Sequence, residues 1–216
     1  MTSSDVLLHL AIMDTENNDH SISNEVTPPQ PQKKESIIKE TLKFAAVTLL
    51  LVVPVRLYVA QPFIVNGASM DPTFAHGQYL IVDELSYRFS EPERGDVVVF
   101  RFPDDQKKFF IKRIIGLPRE TVLLEGNAVG IENEKNPQGF TLNEWYLNGA
   151  QTLDNRRVVL NEDEYFVMGD NRNQSYDSRS WGPVLRPLIV GRTFLRLFPI
   201  DTIAVFPGQN NRPVPK

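Results

Sequence analysis

The pattern of apolar and polar positions changes character twice along the chain. Residues 14 to 36, "DTENNDHSISNEVTPPQPQKKES", are polar and proline-rich, with almost nothing that could build a core, so residues 1 to 36 are expected to form a disordered tail. The short run before it, "DVLLHLAIM", lacks a basic leader and a small-residue cleavage site and is a poor signal peptide; Met13 is an alternative start. From Phe44 to Val55 every residue is apolar or small. Extended from Ile37 to Ala60, at the expense of including Lys39, Glu40, Lys43 and Arg56, the run reaches the ~20 residues of a transmembrane helix. Lys33, Lys34, Lys39 and Lys43 precede it and only Arg56 lies close behind. The positive-inside rule then puts the tail in the cytoplasm and everything after Gln61 on the opposite side.

After Gln61 the period shortens towards two. "QYLIVDEL", "GDVVVFRF", "KFFIKRIIG", "ETVLLEGNAVGI", "EWYLNG", "RRVVLNEDEYFVMGD", "LIVGRTFLRLF" and "DTIAVF" are short runs rich in β-branched and aromatic residues, punctuated by Gly, Pro, Asn and Asp. Long amphipathic helical patterns are missing, and at most a turn or two fits around "ELSYRF". The expected fold is therefore mainly β, with an antiparallel domain over 61–216 preceded by one membrane helix over 37–60.

Composition narrows the chemistry. A formal net charge of −4 over 216 residues offers no basic field for nucleic acid. The absence of cysteine removes disulfides, thiolate catalysis and cysteine-based metal sites. Of three histidines, only His76 lies in the β domain, in the turn-like "FAHGQ", where a surface role is expected. A histidine-dependent triad or a histidine-rich metal site is thus nearly excluded.

The run "KKFFIKRIIG" poses a sharper question. Alternation puts Phe110, Lys112 and Ile114 on one face and Phe109, Ile111, Arg113 and Ile115 on the other, so a cation stands among apolar groups on each face. A buried cation needs a carboxylate partner or a shifted pKa. Serine without a usable histidine needs another base, and a desolvated lysine is the strongest one left. "QPFIVNGASMDPTF" offers Ser69 beside the approachable backbone of Gly67 and Ala68, though Ser-x-x-Pro also describes ordinary turns. "DNRNQSYDSRSWG" concentrates Asp170, Asn171, Arg172, Asn173, Ser175, Asp177, Ser178 and Arg179, and reads equally as an elaborate turn or a hydrogen-bonded functional loop.

Taken in order, "QPFIVNGASMDPT" after an apolar span, "RGDVVVF", "FIKRIIGLP" and "GDNRNQSYDSRSWGPV" resemble the type I signal peptidases, in their cyanobacterial or chloroplast form, from about Glu40 to Phe206. The resemblance implies the signal peptidase and repressor-autoprotease type of β fold. It also implies a membrane-anchored serine endopeptidase that cuts signal peptides from exported precursors after Ala-x-Ala-like residues, through an acyl-enzyme. By position it implies Ser69 as nucleophile and Lys112 as general base. Ser175 falls where a hydroxyl orients the lysine, Asp177 and Arg179 where an ion pair braces the site, and Gly67 where many members carry an oxyanion-binding serine. Phe63, Val65, Met70 and Ile111 fall where members line the pockets for small side chains.

Asn66 replaces a common proline, and "LPRE" replaces the usual Pro-Gly-Asp, which touches only a turn. The segment between Leu123 and Trp145 is short, as in a minimal single-span form. No metal or cofactor is implied; the expected partners are precursor proteins and the lipid bilayer, with a monomer as the expected state and no nucleic acid. Two rivals remain at this level. A repressor-type Ser/Lys autoprotease should carry a DNA-binding helix pair where this chain has its tail and span. An inactive β scaffold that only binds export clients need not keep Ser69, Lys112, Ser175 and Asp177 together.

Overall fold

The computed structural model describes residues 34–58, 60–147 and 154–209. The apolar leader, most of the expected tail and the choice between Met1 and Met13 lie outside these residues. Two compact units are distinguished, Met1–Lys43 and Phe44–Lys216.

Helix α1 covers Lys34–Tyr58, against the expected 37–60, and Ala60 already belongs to a strand. Its described side chains run from Ile37 to Val53 and are exposed, among them Ile38, Leu42, Phe44, Leu49 and Leu50. That stretch also carries Lys39, Glu40 and Lys43. Among the described residues no helix is long and apolar enough to cross a membrane, so the expected span is not found there.

The rest is antiparallel β structure, as the alternating runs require. The larger sheet begins with β1 (Ala60–Ile64), β2 (Tyr79–Asp83), β3 (Val97–Phe102) and β4 (Asp105–Gly116). It is completed by β9 (Glu164–Met168), β10 (Val184–Leu185), β11 (Ile189–Phe198) and β12 (Ala204–Val205). Its order is β1-β2-β11-β3-β4-β9-β10, with β12 beside β11. The smaller sheet contains β5 (Thr121–Gly126), β6 (Ala128–Glu132), β7 (Phe140–Thr141) and β8 (Asp154–Val159), in the order β7-β6-β5-β8. β5 and β6 form a hairpin in which Glu125 faces Ala128; Gly126, with φ of 59°, supplies the left-handed position that a two-residue turn needs.

Two of the sequence runs fold differently from their local pattern. "RRVVLNEDEYFVMGD" breaks into β8 and β9 at the polar turn 161–163, and "EWYLNG" contains a 3₁₀ turn over Trp145–Leu147 instead of a strand. There Glu144 binds Arg172, and the Tyr146 ring lies 3.9 Å from the Arg113 guanidinium, so distant arginines decide the local shape. β1 was not evident from alternation because Pro62 interrupts it; Pro is tolerated there because β1 is an edge strand.

The core explains why β4 is a poor place for charge. Ile114 packs with Val98, Phe100, Tyr165 and Val167 on one side. Its neighbour Ile115 packs with Val122, Leu124, Phe166 and Met168 on the other. From Lys112 onward both faces of β4 are buried.

Candidate active site

Ser69 lies in the loop after β1, and neighbouring segments hold this loop from several sides. Met70 is buried in a cluster with Val65, Phe74, Leu80 and Val97, which anchors the loop to the core. Asn171 donates its backbone N–H to the Ser69 carbonyl at 3.0 Å and its side-chain N–H to the Ala68 carbonyl at 3.0 Å. Thr73 donates to Asp170 Oδ2 at 2.6 Å. At Gly169 a Cβ would collide with the Ser69 carbonyl oxygen and the Ser175 hydroxyl, so this close approach depends on glycine.

Lys112 reaches the loop from β4. It is 3% exposed, and its Nζ donates to Ser69 Oγ at 2.7 Å and to the Ile111 carbonyl at 2.9 Å. The Phe110 ring lies 5.5 Å away, on the face that alternation assigns to both residues. Burial lowers the Lys112 pKa to about 8, against the opposing pull of Asp177 and Asp170. At pH 7 about one molecule in ten then carries neutral Lys112, against roughly one in three thousand for an ordinary lysine. In that neutral form the 2.7 Å contact reverses, and the nitrogen lone pair faces the serine proton.

Arg113, one residue on, points to the other face and takes the alternative route. It is 1% exposed, and donates to both oxygens of Asp170, at 2.8 and 2.6 Å. Its remaining N–H groups reach the carbonyls of Gly95 and Gly208 at 2.9 and 2.6 Å. Alternation demanded a partner for this cation; the choice of Asp170 was not legible.

Asp177 is fully buried beneath the same loop. It accepts from Gly169 N–H at 3.0 Å and from two nitrogens of the Arg179 side chain at 2.8 and 2.9 Å. Burial pushes its carboxyl up, but the Arg179 fork, the Ser175 hydroxyl and the Gly169 N–H together hold it below its ordinary value. Ser175 Oγ is buried and has no hydrogen bond of normal geometry, to Lys112 or to any other described group, although it sits close enough to Asp177 to favour the carboxylate.

An open cleft of about 460 Å³ runs past Ser69 and Lys112 between β1 and β4. Phe63, Val65, Ile111 and Gly67 line it, and Phe63 meets Phe109 across it with ring centroids 5.3 Å apart. Met70 departs from its expected place: at 1% exposure it packs beneath the cleft and bears on it through Val65 and Leu80. Gly67 has φ of 98°, a backbone that disfavours side chains, and donates its N–H to His76 Nδ1 at 3.2 Å. His76 thus braces the serine loop from an exposed position, a role its turn-like context gave no sign of. Among the described residues no three His, Asp or Glu side chains gather so as to hold a metal ion.

A family model described as signal peptidase, peptidase S26, matches residues 38–198. The probable signal peptidase I-2 of Synechocystis sp. is 34% identical over 197 residues, covering 89% of this chain and 88% of that protein. Signal peptidase I of Leptolyngbya laminosa is 36% identical over 189 residues, covering 82% and 90%. Signal peptidase I P of Bacillus subtilis subsp. natto is 34% identical over 183 residues, covering 80% and 95%.

Proposed function

The chain belongs to the signal peptidase, peptidase S26, family of serine proteases, and from that premise we propose that it removes signal peptides from exported precursors with a Ser69/Lys112 dyad. The observation that carries this reading is the 2.7 Å contact between Lys112 Nζ and Ser69 Oγ beside an open cleft. Neutral Lys112 takes the serine proton while Ser69 Oγ attacks the scissile carbonyl carbon. Collapse of the tetrahedral adduct breaks the C–N bond, Lys112 returns the proton to the leaving amine, and an acyl-enzyme remains. The neutral lysine then draws a proton from water, which attacks the ester and releases Ser69.

The Ser69 N–H serves as a donor to the oxyanion, a type of contact worth ~3 kcal/mol. Asp177, held by Arg179 and close to Ser175, sets the field around the lysine. The substrate lies extended along the free edge of β1, and its small Ala-x-Ala side chains enter the cleft around Phe63, Val65 and Ile111. Met70 supports these walls from below.

The reading includes a membrane anchor over 37–60, the tail in the cytoplasm and the β domain on the other side. Its support is the charge asymmetry of the sequence and the exposed apolar side chains between Ile37 and Val53. Alkaline extraction of membranes tests the anchor, and protease protection the sidedness. For the activity, the deciding experiment is cleavage of a model precursor in detergent by wild type and Ser69→Ala. The expected result is cleavage by the first and none by the second; equal cleavage by both overturns the proposal.

A further inference from the structure

The cleft has two faces, and the small side chains of the proposed substrate occupy only one of them. β1 and residues 108–112 of β4 border it. β1 is the outermost strand of its sheet, and among the described residues β9 pairs with β4 only from Arg113 onward, so both strands turn an edge to the gap between them. Alternation divides the walls of that gap. Phe63 and Val65 share one face of β1 with Phe109 and Ile111 of β4, and the Phe63 and Phe109 rings meet there with centroids 5.3 Å apart. Ile64 of β1 and Phe110 of β4 belong to the opposite face.

This opposite face is apolar and only partly covered. Ile64 is 67% exposed, and Tyr176 is 55% exposed. Both line the cleft, together with Phe110 and Gln174. Phe110 stacks on Phe102 with ring centroids 4.7 Å apart, and Tyr176 lies 6.0 Å from Phe102 in turn. The aromatic row begins beside the candidate dyad, since the Phe110 ring is 5.5 Å from Lys112 Nζ. Tyr176 directly precedes Asp177, which is anchored by the Gly169 N–H and the Arg179 side chain. A fixed backbone therefore carries the exposed tyrosine ring.

An extended precursor turns successive side chains to opposite faces. When the last residue before the scissile bond and the one two places earlier lie against Val65, Phe63 and Ile111, the residue between them meets Ile64, Phe110 and Tyr176. A large apolar side chain there covers exposed apolar surface on both sides of the gap, whereas a charged one gains nothing and loses hydration.

We infer that Ile64, Phe110 and Tyr176 form a subsite for a large apolar side chain at the central position of the Ala-x-Ala sequence, with Tyr176 as a specificity-determining residue. The inference rests on the proposed precursor cleavage and gives a preference to the one position of that sequence left open by it. The test uses purified full-length protein in detergent and model precursors that end in Ala-Phe-Ala, Ala-Leu-Ala, Ala-Ser-Ala or Ala-Asp-Ala before the cut. kcat/KM is expected to be about tenfold higher for Phe and Leu than for Ser and Asp. The difference should lie in KM, because the contact is made equally in the bound substrate and in the transition state. Tyr176→Ala is expected to shrink the ratio to about threefold, and Tyr176→Phe, which keeps the ring, to preserve it.

Equal kcat/KM for the Phe and Ser precursors overturns the inference, and so does a preference that Tyr176→Ala leaves unchanged. A fall in kcat shared by all four precursors in Tyr176→Ala, with the ratio intact, makes the tyrosine a support of its loop and also overturns it. Failure of wild type to cut any of the four is a different result, which rejects the proposed function itself and the subsite with it.

Discussion

Arg113 and Asp170 form a buried, two-pronged ion pair at 2.8 and 2.6 Å, one strand position from Lys112. The pair separates two adjacent cations on β4. One is neutralised by a carboxylate on one face, and the other is left among apolar groups on the opposite face with a lowered pKa. Asp170 also receives Thr73 and precedes Asn171, so the pair ties β4 to the serine loop.

Removing one partner strands the other. Asp170→Ala is expected to cost about 3–5 kcal/mol of unfolding free energy in urea titration, because the Arg113 guanidinium stays buried without its anion. Arg113→Met combined with Asp170→Leu should be clearly less destabilising than the sum of the single changes, and strict additivity would show that the pair is not coupled.

Lys112 sets the pH dependence of the proposed activity. Since the neutral form is the base, kcat/KM should climb about tenfold per pH unit below an apparent pKa of about 8 and level off above it. Lys112→Ala should lose about 100- to 10,000-fold in rate. A flat profile between pH 6 and 8 would remove the lysine from the role.

The same lysine should weaken the fold. Its pKa falls from 10.5 in the unfolded chain to about 8 in the folded one, so the unfolded state binds more protons between these values. The resulting cost, on the order of 3 kcal/mol, is fully present below pH 8 and is relieved as pH rises towards 10.5. Lys112→Met is accordingly expected to be inactive yet more stable than wild type at pH 7, with a gap that closes in alkali. Denaturant titrations at pH 7 and 10.5 check both parts.

Asn171 is a positioning residue. Asn171→Ala keeps the backbone bond to Ser69 but loses the 3.0 Å bond to Ala68. Misplacement of a reacting group can cost up to ~100-fold, so a fall in kcat with little change in KM is expected. Loss confined to KM would place the residue in substrate binding instead.

Gly67 is open to space but not to conformation. With φ of 98° and nothing within 4 Å of an added Cβ, Gly67→Ser meets no clash yet strains the backbone. The variant should lose about 1–3 kcal/mol of stability without a gain in kcat. A higher kcat would show that the missing hydroxyl limits the oxyanion site.

Most of the β strands, the turn that carries Ser69, and the division of Phe110, Lys112 and Ile114 from Ile111, Arg113 and Ile115 were legible in the sequence. Each depends on local chemistry: side chains alternate along a strand wherever it is placed, and glycine and proline mark turns by their own torsional limits. Sequence alone also established that each cation of β4 needed an answer, because the energy of a buried charge does not depend on which fold buries it.

Tertiary structure decided which answer each one received. Asp170, 57 positions from Arg113, became its partner, while Lys112 met Ser69 from 43 positions away. The same long-range packing drew Met70 beneath the cleft, turned Trp145–Leu147 into a 3₁₀ segment around Arg172 and Arg113, and left β1 as an edge strand. Strand alternation gives a side chain its direction, but burial and pairing arise only when distant segments close on one another; the local pattern therefore set the faces of β4, and the assembled sheets chose what each face would meet.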